Sequence, residues 1–81
     1  MFINELMLYI DHLREETRKF SLKLSLRTPA YFSKFKKNLL EGVEYYHRLA
    51  GEFIEDHRAK FLEDLRVLQE EIERIAFPDV G

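Results

Sequence analysis

The chain has 81 residues, no cysteine and a formal net charge of −2, with 35% of its side chains charged. These values exclude a disulfide scaffold, a thiolate metal site and a cysteine nucleophile. They leave one small domain, which buries only about 60% of the surface its unfolded chain exposes, so a partner surface is a ready way to enlarge its core.

Charge is unevenly distributed. Residues 14–37 hold eight basic side chains against two acidic ones, a net of +6, whereas residues 38–81 hold five against eleven, a net of −6. The first thirteen residues carry Glu5 and Asp11 and no basic residue before His12, which is the wrong pattern for a secretory signal. Their longest apolar run, Leu6 to Ile10, is far too short to span a bilayer. A cytoplasmic chain with no membrane contact is expected.

From Ile3, the residues Leu6, Ile10, Leu13, Thr17, Phe20 and Leu24 alternate three- and four-residue steps, which predicts a first amphipathic helix over 3–24 with a coiled-coil-like seam. Residues 20–27 also alternate apolar and polar with period two, the pattern of a half-buried strand, so that segment fits both templates. Thr28 and Pro29 then mark a helix start, a capping hydroxyl followed by a residue suited to the first helical position.

Beyond Pro29 an apolar stripe runs through Phe32, Phe35, Leu39, Val43, Tyr46 and Ala50. It continues through Phe53, His57, Phe61, Leu65, Leu68, Ile72 and Ile75. The unbroken phase predicts one long helix over 29–76, ended by Pro78, with residues 77–81 as a tail. Gly42 and Gly51 argue against continuity, each costing about 1 kcal/mol relative to alanine inside a helix. A break near Gly51 would give a three-helix bundle, although a helix starting near Glu52 would lack a capping residue.

The expected fold is therefore all-α, a helical hairpin with a long second helix. At about 1.5 Å per residue the two helices would span about 33 Å and 72 Å, so the first covers less than half of the second. That leaves Phe53, His57, Phe61, Leu65, Leu68, Ile72 and Ile75 as a homodimer interface. The opposed charges of the two halves favour an antiparallel twofold pairing into a bundle of helices. The three-helix monomer is the alternative.

Chemistry-bearing constellations are sparse. Glu44 and His47 stand at E-x-x-H spacing, which puts a carboxylate and an imidazole on one helix face as in di-metal carboxylate bundles, but a second copy of the pair would have to come from a dimer. No phosphate loop, nucleophile elbow or paired-carboxylate cleft is present, so no enzymatic activity and no cofactor are expected. Lys23, Arg27, Lys34, Lys36 and Lys37 interleave with aromatic residues, a combination that can contact nucleic acid or, more simply, form a solvated face. Were residues 20–27 a strand, the order strand, Thr-Pro, helix, Gly42, helix resembles a ribbon-helix-helix repressor. That resemblance implies DNA readout by Ser21, Lys23, Ser25 and Arg27, and it covers residues 20 to about 65. The small polar residues such repressors carry at the turn between helices are missing here, since Val43 and Glu44 follow Gly42. The reading that best fits the whole chain is a small non-enzymatic interaction, adaptor or regulatory module that self-associates and makes protein–protein contacts. A small DNA-binding regulator is the alternative.

Overall fold

In the computed structural model, which describes residues 2–23 and 28–77, the chain forms three α-helices: α1 (Phe2–Leu22), α2 (Pro29–Phe53) and α3 (Arg58–Arg74). They lie side by side in a rod of 48 × 16 × 16 Å. Among the described residues there is no strand, and no helix is long and apolar enough to cross a membrane.

The seam read from α1 is its buried face: Leu6, Ile10, Leu13, Thr17 and Phe20 all lie in the interior. Thr17 is accommodated because its hydroxyl donates to the Leu13 carbonyl at 2.8 Å, which satisfies the polar atom within the helix. Helix α1 ends at Leu22, and Phe20 to Leu22 are helical, so the strand alternative fails over these residues. Leu24, Ser25 and Arg27 lie outside the described residues.

Helix α2 starts where the Thr-Pro signal placed it. The Thr28 hydroxyl accepts a hydrogen bond from the Tyr31 N–H at 3.2 Å, with Thr28 itself extended at φ −83° and ψ 158°. Gly42 and Gly51 are both inside this helix. A Cβ at Gly42 would stand 3.3 Å from Leu13 Cδ1, so the glycine is a notch that admits α1, whereas Gly51 faces open space.

The expected continuous helix over 29–76 is not formed. Helix α2 ends two residues after Gly51, at Phe53, and Ile54 turns extended at φ −112° and ψ 116° while its N–H still donates to the Ala50 carbonyl. His57 then adopts the left-handed conformation at φ 64°, and α3 starts at Arg58 without a side-chain cap. The Arg58 guanidinium donates to the Ile54 carbonyl at 2.6 Å, bracing the turn. At the break the stripe slips: Ile54 enters the core, while Phe53 and His57 are exposed.

Magnitudes explain the break. Folding α3 back buries Phe61, Leu65, Leu68 and Ile72 within the chain. Full burial of four such side chains is worth about 6–12 kcal/mol at about 1.5–3 each. The left-handed residue costs about 1–2 kcal/mol. The missing cap, which weighed against a break in the sequence, is a term of about 1 kcal/mol and loses to the packing.

Helices α2 and α3 share the most extensive interface. Lys36 closes its far end: the ammonium donates to the Glu73 carbonyl at 3.0 Å and the Ile75 carbonyl at 2.9 Å, so a cation from the second turn of α2 caps the C-terminus of α3. Helix α1 runs antiparallel to α2, held by stacking of Phe20 on Phe32 and Phe35 at one end and of Tyr9 on Tyr46 at the other.

Candidate interaction surfaces

Of the seven residues expected at a dimer interface, Phe61, Leu65, Leu68 and Ile72 belong to the chain's own core and are not available to a second copy in this fold. Ile75 is half-buried against the same core, Phe53 is 64% exposed, and His57 is exposed in the turn. The uncovered stripe on which that interface was argued is covered by folding back.

The basic segment is also divided by the fold. Lys34 and Lys37 are exposed on α2, and Lys23 is exposed just after α1. Lys36 is half-buried and engaged with the end of α3, which takes it out of any anion-binding row. Ser21 is helical rather than part of a ribbon, and Arg27 lies outside the described residues. The paired strands that the repressor resemblance requires are therefore not assembled over the part that is described.

Glu44 and His47 are exposed on the rim of an open groove of about 730 Å³ between α2 and α3. Its floor is Phe32 and Leu40, and α3 contributes Gln69 and Glu73. The Glu44 carboxylate lies 3.5 Å from Arg48. Among the described residues no group of three or more His, Asp and Glu side chains is placed to hold a metal ion. A second groove of about 490 Å³ separates α1 from α3, floored by Ile3, Met7, Ile10 and Phe61. Arg14 spans it, 3.3 Å from Asp11 and 3.6 Å from Asp64, so its carboxylates are already paired.

The surface that sequence reasoning missed is aromatic. Tyr9 stacks on Tyr46 with ring centroids 5.6 Å apart, and Tyr45 meets Tyr46 edge-on at 5.4 Å. Tyr9 and Tyr45 remain 50% and 55% exposed. Burial pushes the Tyr46 phenol above its ordinary value, and the neighbouring Tyr9 and Tyr45 groups add to the rise. Next to Tyr9, Leu8 is 68% exposed. The available signal was the run Leu6 to Ile10: five consecutive apolar residues on a helix cannot all face one core.

Comparison with protein-family models, with curated proteins and with solved structures found no match to this chain.

Proposed function

We propose that this chain is a small non-enzymatic helical interaction module, acting through self-association and protein–protein contacts. The observation that supports this reading is the first half of α1. Its Met7, Leu8 and Tyr9 are large, apolar and exposed, and they lie on three different flanks: Met7 beside α3, Tyr9 beside α2, and Leu8 away from both. A helix that is apolar on every side gains from further cover, and a rod three helices wide supplies it on two sides only. Adding a partner also enlarges the core of a chain too short to have a large one.

The test is sedimentation equilibrium between about 1 µM and 1 mM, the range that reads an association of about 4–8 kcal/mol. The mass should rise from one protomer toward two, and Leu8→Glu should lower it. A monomer mass across the whole range would overturn self-association.

A further inference from the structure

Resting on that reading, we infer that the self-associating surface is the outer face of the α1–α2 pair and that its occupant is a second copy of this chain, packed antiparallel with α1 on α1 and α2 on α2. The flank of α1 toward α3 is identified by the residues lining their groove, Asn4, Met7, Asp11 and Arg14. At 100° per residue the face turned away from α3 carries Glu5, Leu8, His12 and Lys19, with Tyr9 at its α2 edge. On α2 the flank toward α3 carries Lys36, Leu40 and His47, and the outer face carries Lys34, Tyr45 and Glu52. The two outer faces are adjacent and form one surface.

This surface is built for a twofold axis. The contacts Tyr9 with Tyr46, Leu13 with Gly42 and Phe20 with Phe35 fix which levels of α1 and α2 stand side by side. On α1, Lys19 and Glu5 lie symmetrically about the level of His12. On α2, Lys34 and Glu52 lie symmetrically about the level of Val43. The contact register puts His12 and Val43 at the same height along the rod. One axis running across the face at that height therefore sets Lys19 against Glu5 of the other copy and, by the same rotation, Lys34 against its Glu52. The other face-to-face twofold, along the rod, sets α1 against α2 at equal height. It would face Lys19 with Lys34 and Glu5 with Glu52, like charge on like.

The apolar groups fall in the middle. Tyr9 is about 4.5 Å and Tyr45 about 3 Å along the rod from the axis, at about 1.5 Å per residue, so the aromatic side chains of the two copies meet at the centre and the charged pairs form the rim. Glu16 and Glu41 also lie near the axis, where the rotation sets them beside Leu8 and Tyr45 of the other copy and not beside another carboxylate. An aromatic centre within a charged rim is the usual anatomy of a specific interface.

The experiment is charge reversal read by sedimentation equilibrium. Lys19→Glu with Lys34→Glu should raise the dissociation constant by about tenfold or more, because four attractive pairs per dimer become repulsive. Glu5→Lys with Glu52→Lys should do the same, and an equimolar mixture of the two double variants should return to the wild-type constant. All four positions are exposed, and helicity by circular dichroism identifies any variant that fails to fold, in which case the other pair carries the comparison. A wild type that dimerises while both double variants dimerise equally well overturns this face and leaves the self-association reading standing. A wild type that stays monomeric overturns that reading as well.

Discussion

Replacing His57 by glycine separates two foldings of the same sequence by the sign of one number. His57 has φ 64°, a conformation that costs a residue with a Cβ about 1–2 kcal/mol and glycine almost nothing. Against that relief stands the extra backbone freedom glycine gives the unfolded chain, about 0.4–1 kcal/mol. The difference runs from about 0 to about 1.6 kcal/mol, a stabilisation of about 0.8 kcal/mol at its midpoint. Were residues 29–76 one continuous helix, His57 would sit in its interior and the same substitution would cost about 0.3–0.5 kcal/mol, the gap between histidine and glycine in helix propensity. For a domain of this length 1 kcal/mol corresponds to about 4–8 °C in Tm, so the broken helix predicts a rise of about 3–6 °C at that midpoint and the continuous one a fall of about 1–4 °C. Thermal unfolding followed by circular dichroism at one fixed protein concentration reads the difference. A lower Tm for His57→Gly would refute the left-handed turn and with it the argument that core burial outweighs helix continuity.

The two glycines of α2 should respond differently to alanine. Gly51→Ala meets open space and should raise stability by about 0.5–1 kcal/mol, whereas Gly42→Ala must displace Leu13 and should gain less or lose; equal gains at both sites, read from urea midpoints, would contradict the close approach of α1. Lys36→Met keeps the apolar stem but removes both hydrogen bonds to the end of α3, and should cost about 1–2 kcal/mol; an unchanged midpoint would show that the cap adds nothing. Hydrogen bonds from Arg18 and Arg66 hold the Glu15 and Glu63 carboxyl groups below their ordinary value of 4.5. A carboxyl group whose folded pKa is depressed stabilises the fold above its unfolded pKa and loses that contribution as pH falls through the folded value, so stability should decline below pH 4.5. Glu15→Gln with Glu63→Gln should make that decline shallower, and identical slopes of urea midpoint against pH would count against the two pairs.

Much of the local structure was written in the spacing of particular residues. The seam of α1 from Leu6 to Phe20 is its buried face, down to the one polar position at Thr17, because a three-four alternation has no other way to gather on a helix. Thr28 and Pro29 fixed the start of α2 through a hydrogen bond local enough to be read from neighbours in sequence. The break at Ile54 was not legible in the same way. His57 is neither glycine nor asparagine, α3 starts without a side-chain cap, and the stripe keeps its apparent phase through Phe53 and His57. What decides the break is the burial of Phe61, Leu65, Leu68 and Ile72 against the preceding helix, a sum over contacts between residues distant along the chain. The candidate surfaces shifted for the same reason: an interface argued from an uncovered stripe disappears once the chain covers the stripe itself. Lys36 read as one of a row of lysines because its partners are backbone carbonyls 37 and 39 residues away, which carry no residue-type signal.

Gly42 acts as a positional key as well as a point of close approach. Sliding α1 along α2 by one helical turn would bring the Leu13 side chain from the glycine to the level of Leu39 or Tyr46, and both carry side chains where Gly42 leaves a gap. Such a slide keeps apolar groups against apolar groups, so hydrophobic burial alone resists it weakly; steric fit at one position resists it strongly. Helix α2 gives up about 1 kcal/mol of intrinsic stability at Gly42 and gains a single registration against α1. Because His12 and Val43 share a height only in that registration, one missing methyl group also sets whether the charges at the two ends of the α1–α2 face can be exchanged by a single rotation.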